Sequence, residues 1–135
     1  MTLQTITNGS TDQKAVALVY VVDDELVLLE LADSILGAEG YQLEKFQSSD
    51  LALKAFLAAE TKPALLITDF SLGAMNGLEL IAQCQRIQPQ LKTILVTGSL
   101  KADVYSRFDV KADEFLGKPY RPEQLANLVQ TLMKK

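Results

Sequence analysis

The chain has 135 residues, of which 48% are hydrophobic and 22% are charged, as is usual for one globular domain. Its formal net charge of −4 argues against direct binding of nucleic acid, because a phosphate backbone is bound by basic surfaces. The absence of histidine excludes a phosphohistidine carrier, and the single cysteine excludes an internal disulfide.

Residues 1–14 are polar and predict a flexible leader before one domain that covers residues 15–135. The longest apolar run, Ala15–Val22, is much shorter than the about 20 residues that a membrane-spanning helix needs. No basic segment followed by an apolar one marks a signal peptide. We therefore expect a cytoplasmic protein that does not contact a membrane.

After the leader, short apolar runs alternate with segments whose apolar residues are spaced by three and four. The pattern predicts five strands and five helices, which indicate an α/β fold with a doubly wound parallel sheet. The predicted strands are Ala17–Val22, Tyr41–Phe46, Ala64–Thr68, Thr93–Val96 and Glu114–Leu116.

The composition of the strands predicts their places in the sheet. The first and third strands are nearly continuous in apolar residues, as expected of central strands that helices cover on both faces. The second strand contains Gln42, Glu44 and Lys45 and is predicted to lie at an edge.

Two helical segments carry specific expectations. In the third helix, Cys84 follows Leu80 and Ile81 at helical spacing, so we expect a buried structural thiol. The fourth helix, over Ala102–Phe108, is short and no glycine ends it, so its bounds are the least defined of the five.

Chemically reactive side chains collect where the predicted strands end. In an open parallel sheet these carboxyl ends share one edge, which is where ligands bind. In chain order the side chains are Asp23, Asp24 and Glu25 after the first strand, Asp69 after the third, Thr97 after the fourth and Lys118 after the fifth.

Each of these residues also has an ordinary structural explanation. Asp24 can cap the helix that starts near Glu25, and Asp69 can begin a turn. Thr97 can be a polar loop residue, and Lys118 can be a solvated surface charge. Because the residues belong to four separate strand ends of one sheet, a shared site explains the whole set better.

Such a set of acids favours a bound cation. Two carboxylates about 4 Å apart repel by roughly 4 kcal/mol at an effective dielectric near 20, and a third adds to the repulsion. Oxygen ligands suit Mg²⁺ or Mn²⁺, and a carboxylate beside such a metal can act as a nucleophile toward a phosphoryl group. The metal and a lysine then neutralise charge on the transferring oxygens.

Four segments make the match to a known family specific. In order and spacing, Val19–Glu25, Leu66–Asp69, Ile94–Gly98 and Phe115–Pro119 resemble the receiver domains of two-component response regulators of the chemotaxis-protein type. The resemblance runs from about Val16 to the C-terminus. It implies the flavodoxin-like strand order 2-1-3-4-5 with helices on both faces of the sheet.

The resemblance also implies roles for individual residues. Asp69 corresponds to the phosphoacceptor, and Thr97 and Lys118 correspond to the residues that hold the phosphoryl oxygens. Phe115 takes the place of the switch aromatic, whose ring turns inward when Thr97 moves toward the phosphate. The implied ligands of Mg²⁺ or Mn²⁺ are Asp23, Asp24, Asp69 and the backbone carbonyl of Ser71. The peptide bond between Lys118 and proline is expected to be cis.

The chain departs from the family pattern at three places. Gly73 stands where the family commonly has proline, although Gly77 is kept, which predicts an intact but looser loop after Asp69. Asp109–Ala112 replaces the usual glycine-containing stretch before the fifth strand. Phe115 lacks the tyrosine hydroxyl that many members have.

The partners that the resemblance implies are a sensor histidine kinase or a histidine phosphotransfer protein as the phosphoryl donor. A downstream partner is expected on the face of the fourth helix, fifth strand and fifth helix, where a homodimer can also form. Because the last helix is predicted to run to Lys135, we expect no effector domain after it. A free-standing receiver and a receiver cut from a longer protein both stay open.

Three other functions fit parts of the pattern. A phosphatase of the haloacid-dehalogenase type also uses a strand-end aspartate, but it needs a second one at the place of Ser71. A flavodoxin-like cofactor binder needs a phosphate-binding loop where Asp23–Glu25 would repel phosphate. A receiver-shaped scaffold without phosphorylation has no need of the acids. We therefore predict a signalling phosphoacceptor that catalyses only its own phosphotransfer and dephosphorylation.

Overall fold

The computed structural model describes residues 16–98 and 108–134. The predicted leader lies outside these residues, and so does the predicted fourth helix, except for Phe108. The described residues form five strands and four helices. In chain order they are β1 (Leu18–Val22), α1 (Leu26–Ala38), β2 (Gln42–Phe46), α2 (Ser49–Ala58), β3 (Leu65–Asp69), α3 (Gly77–Ile87), β4 (Lys92–Thr97), β5 (Glu114–Gly117) and α4 (Pro122–Met133). Within these ranges, no helix combines the length and the apolar character needed to cross a bilayer.

All five strands pair in parallel, in the order β2-β1-β3-β4-β5. This confirms the predicted fold class and the edge position of the second strand. Strand β3 lies at the centre and is buried along its whole length. The register pairs Asp69 with Val96 and Thr97 with Gly117, so the carboxyl ends of β3, β4 and β5 share one edge of the sheet.

Helices cover both faces of the sheet. Successive side chains of a strand point to opposite faces, and the buried residues therefore form two clusters. Helices α1 and α4 pack on one face, against residues such as Val19 and Ile67. Helices α2 and α3 pack on the other face, against residues such as Tyr20 and Leu66. The predicted doubly wound arrangement is confirmed.

Strand β5 begins at a hydrogen-bonded contact between Asp113 and Thr93. The N–H and the hydroxyl of Thr93 donate to the Asp113 carboxylate at 2.8 and 3.1 Å, and the Asp113 N–H donates to the Thr93 hydroxyl at 3.0 Å. Thr93 is fully buried, whereas Asp113 is exposed, so the contact joins the interior of β4 to the surface at the start of β5. These bonds hold β5 beside β4 and thereby direct the chain that carries Lys118.

Helix α3 approaches the end of β3 closely because Gly77 has no side chain. A Cβ placed on Gly77 would overlap the carbonyl oxygen of Asp69 and would lie 2.8 Å from Leu95 Cδ1. The helix starts at a capping box, in which the side chains of Asn76 and Glu79 each accept the other residue's backbone N–H. Both features fix the start of α3 relative to Asp69.

We expect Gly77→Ala to lower the free energy of unfolding by about 1–3 kcal/mol, because the added methyl group has to displace backbone atoms. Gly37→Ala is a matched control, since its Cβ would meet Asp33 Oδ1 at an ordinary 3.6 Å. In the control, alanine should favour helix α1 over glycine by about 0.5–1 kcal/mol. Urea unfolding of both variants measures the difference. Equal stability of Gly77→Ala and the wild type would contradict the close approach.

Cys84 is 1% exposed, which confirms the predicted buried thiol, and burial raises the pKa of this thiol to about 12. Because the thiolate is the reactive form, we expect Ellman's reagent at mildly alkaline pH to leave the native protein unlabelled. The same reagent in guanidinium chloride should label one thiol per chain and serves as the control. Stoichiometric labelling of the native protein within minutes would refute this prediction.

Candidate functional site

Asp23 is oriented by the backbone around it. Its N–H donates to the Phe46 carbonyl of β2 at 3.0 Å, and its carboxylate Oδ1 accepts the Glu25 N–H at 2.9 Å. Asp23 is 6% exposed, whereas Asp24 is exposed. Helix α1 has Glu25 as its N-cap residue, without a side-chain cap, so the alternative in which Asp24 caps this helix is wrong.

Asp69 is the last residue of β3 and is as buried as Asp23. The N–H of Ser71 donates to the Asp69 carboxylate. The N–H of Phe70 donates to the Val96 carbonyl at 2.9 Å, so hydrogen bonding between β3 and β4 continues past Asp69. The backbone on the C-terminal side of Asp69 therefore holds its carboxylate at the edge of the sheet.

Lys118 joins the two buried carboxylates. Its Nζ lies 3.2 Å from Asp23 Oδ2, 3.2 Å from Asp69 Oδ2 and 3.9 Å from Glu25 Oε2. The Lys118 N–H donates to the Thr97 carbonyl at 2.8 Å, which fixes the start of this side chain. Only 20% of the Lys118 side chain is exposed, so the alternative of a solvated surface charge is wrong.

Burial and proximity determine the electrostatics of this group. Burial raises the pKa of Asp69 above its ordinary value, and the Lys118 ammonium only partly offsets that effect. Burial alone would lower the pKa of Lys118, but the carboxylates of Asp23 and Asp69 outweigh it and hold this pKa above its ordinary value. Lys118 therefore keeps its positive charge at neutral pH beside the acids.

Asp23, Asp24 and Asp69 form a group of oxygen donors. Each offers one carboxylate oxygen, and these oxygens lie within 4.8 Å of one another. One ammonium group cannot neutralise three carboxylates, and hard oxygen ligands are those that Mg²⁺ and Mn²⁺ prefer. The donor set therefore fits the expected divalent cation. The backbone carbonyl of Ser71 as a further ligand stays a prediction.

Thr97 and Phe115 lie on the two strands beyond β3. Thr97 is the last residue of β4, is buried, and follows Val96, which is the register partner of Asp69. Phe115 lies on β5 and is 37% exposed. Their roles in phosphoryl binding and switching stay predictions. The peptide bond between Lys118 and the following proline is cis, as predicted.

Tyr120 is a neighbour of the site that sequence reasoning did not include. A cleft of 330 Å³ beside the site is lined by Glu25, Leu28, Lys118, Pro119 and Tyr120. Burial raises the pKa of Tyr120, and the nearby Asp23 carboxylate raises it further. The signal in the sequence is that Tyr120 comes two residues after Lys118.

Comparison with known proteins identifies the family. Residues 19–130 match the response regulator receiver domain, and the chain therefore belongs to this family. It is 30% identical over 118 residues to the aerobic respiration control protein ArcA of Escherichia coli, and the aligned region covers 87% of this chain and 48% of ArcA. It is 28% identical over 120 residues to the transcriptional regulatory protein YvrH of Bacillus subtilis, over 88% of this chain and 50% of YvrH.

The fold matches solved structures of the same family. A CheY-like response regulator receiver domain protein from Methanospirillum hungatei superimposes with a TM-score of 0.79 at 26% identity, over 89% of this chain and 95% of that chain. The chain spans about half the length of the curated relatives named above.

Mg²⁺ is expected to stabilise the folded chain, because the cation relieves repulsion among acids that are close together only in the folded state. At a free concentration tenfold above the dissociation constant, the gain is about 1.4 kcal/mol, and the melting temperature should rise by several degrees. Thermal unfolding followed by circular dichroism measures this shift.

Two variants test where the cation binds. Asp24→Asn, in the exposed member of the acid group, should remove most of the shift. Glu39→Gln, at an exposed acid that follows α1, should keep it. A shift of the same size in Asp24→Asn and in the wild type would show that the cation binds elsewhere.

Proposed function

We propose that this chain is a signalling switch that accepts a phosphoryl group on Asp69 from a sensor histidine kinase or a histidine phosphotransfer protein. The observation that carries the proposal is the position of the Asp69 carboxylate. It lies 3.2 Å from the Lys118 ammonium and belongs to a group of three acids whose oxygens are within 4.8 Å of one another. A nucleophile, a fixed cation and metal ligands are what phosphoryl transfer to a carboxylate requires.

In this proposal, an Asp69 oxygen attacks the phosphorus of the donor phosphohistidine in line with the bond that breaks. A phosphorus–oxygen bond forms, the phosphorus–nitrogen bond breaks, and its electron pair stays on the imidazole nitrogen. The Lys118 ammonium stabilises charge on the phosphoryl oxygens, and the Thr97 hydroxyl donates a hydrogen bond to one of them. Because Asp69 is buried, the donor approaches from the strand-end edge of the sheet.

The residues that would hold Mg²⁺ or Mn²⁺ are Asp23, Asp24 and Asp69, with the backbone carbonyl of Ser71. The bound metal would neutralise charge on the transferring phosphoryl group. The Glu25 N–H orients the Asp23 carboxylate, and the Ser71 N–H orients that of Asp69. These donors are neutral backbone groups, so they hold the acids in place without cancelling the charge that attracts a cation.

The output of the switch is a shift in population between two conformations. When Asp69 carries the phosphoryl group, Thr97 moves toward it and the ring of Phe115 turns inward. The face that includes β5 and α4 changes in consequence, and a downstream partner or a second copy of the chain binds there. Hydrolysis of the acyl phosphate returns the chain to its first state.

Incubation with acetyl phosphate and Mg²⁺ is expected to add one phosphoryl group to the chain, as measured by intact-protein mass spectrometry. Asp69→Asn should abolish the addition, because an amide is a poor nucleophile toward phosphorus. Asp33→Asn is the control, since Asp33 pairs with Lys45 on the surface, and it should be labelled like the wild type. Retained labelling of Asp69→Asn would remove Asp69 as the acceptor. Continuous turnover of a phosphate monoester would instead identify a phosphatase.

A further inference from the structure

Two adjacent serines at the start of α2 make different contacts. The Ser48 hydroxyl caps the helix and accepts the Leu51 N–H at 3.1 Å. The Ser49 hydroxyl donates to the Met75 carbonyl at 3.0 Å, in the loop that follows β3. Ser49 is 4% exposed, so the donor side of this bond is shielded from water. Since Ser48 already caps the helix, the contact of Ser49 serves the loop.

The loop that receives this bond, residues 70–76, joins Asp69 to α3. Its ends are held together, because the Gly77 N–H donates to the Phe70 carbonyl at 2.9 Å. Between these ends, Gly73 has a φ of +91°. Proline, whose φ is locked near −65°, cannot adopt this conformation. A proline would stiffen the backbone at this position, but glycine does not. Of all residues, glycine loses the most conformational freedom when it is ordered.

We propose that Ser49 is a positioning residue for the metal site. Its bond to Met75 holds loop 70–76 in place and thereby keeps Ser71 beside Asp69. This inference rests on the proposed function, because Ser71 enters it as the predicted carbonyl ligand of the cation.

The physical reason is the freedom of the segment between Ser71 and Met75. Leu72 and Met75 pack against the core, but Gly73 and the residue after it are exposed, so the segment is least restrained between them. The hydrogen bond from Ser49 to the Met75 carbonyl restricts the loop before a cation binds. Less conformational entropy is therefore lost when the loop is ordered around the cation. The Ser71 N–H also donates to the Asp69 carboxylate, so a displaced loop would disturb an acid and the predicted ligand together.

Ser49→Ala tests this hydrogen bond, and Ser48→Ala is the matched control because it removes the helix cap and leaves the bond to Met75. Calorimetric titration of the full chain with Mg²⁺ should show about three- to tenfold weaker binding for Ser49→Ala. The control should bind Mg²⁺ like the wild type. Half-maximal labelling by acetyl phosphate should need a higher Mg²⁺ concentration in Ser49→Ala than in the wild type, since the Ser49 hydrogen bond acts through metal affinity.

Hydrogen–deuterium exchange without Mg²⁺ supplies a measurement that does not depend on the metal. Exchange in residues 70–76 should be faster in Ser49→Ala than in the wild type, whereas Ser48→Ala should affect only the first turn of α2. Ser49→Gly removes the same hydroxyl and should reproduce both effects, so the test does not depend on one variant folding.

Unchanged Mg²⁺ affinity together with unchanged loop exchange in Ser49→Ala and Ser49→Gly would overturn the inference. Equal losses of affinity in the Ser48 and Ser49 variants would also overturn it, because they would trace the effect to the stability of α2. Failure of the proposed function looks different. In that case acetyl phosphate would not label the wild type, but the effects of the Ser49 variants on Mg²⁺ affinity and loop exchange would remain.

Discussion

The ion pairs of Lys118 with Asp23 and Asp69 are the interaction on which the site depends. Two carboxylates about 4 Å apart repel by roughly 4 kcal/mol at an effective dielectric near 20, and both of these acids are buried. The Lys118 ammonium lies 3.2 Å from each of them and offsets their repulsion. Because Asp23 follows β1, Asp69 ends β3 and Lys118 follows β5, the site exists only when these strands share one sheet.

The scaffold brings these strand ends together through contacts of uncharged or remote groups. Gly77 lets α3 approach the backbone of Asp69, since a Cβ there would overlap the carbonyl oxygen. Asp113 and Thr93 hold the start of β5 against β4, and Ser49 contacts the loop after β3. None of these residues carries chemistry in the site, but each contacts an element that bears or adjoins one of the site residues.

The balance of charge links the predicted metal site to the predicted phosphoacceptor. The acid group has three carboxylates, and one ammonium group pairs with two of them, which leaves an excess of negative charge that favours a divalent cation. A phosphoryl group on Asp69 would bring further negative charge to the same place. Cation binding and phosphorylation are therefore expected to support each other, as two ligands of opposite charge do when they share one site.

The fold class, the edge strand and the polar residues at the strand ends could be predicted from the sequence, because hydrophobic periodicity and strand-end polarity are local features. Each predicted strand agrees with the observed one to within one residue at either end. The remaining difference depends on which terminal residues form backbone hydrogen bonds with a neighbouring strand. Glu25 rather than Asp24 is the N-cap of α1 because of the backbone conformation at Glu25, which the residue types do not reveal. The position of Lys118 between two buried acids follows from the packing of the strands. The contact of Ser49 with Met75 likewise needed the folded chain. Such contacts join residues far apart in the sequence, and their distances depend on how whole elements pack.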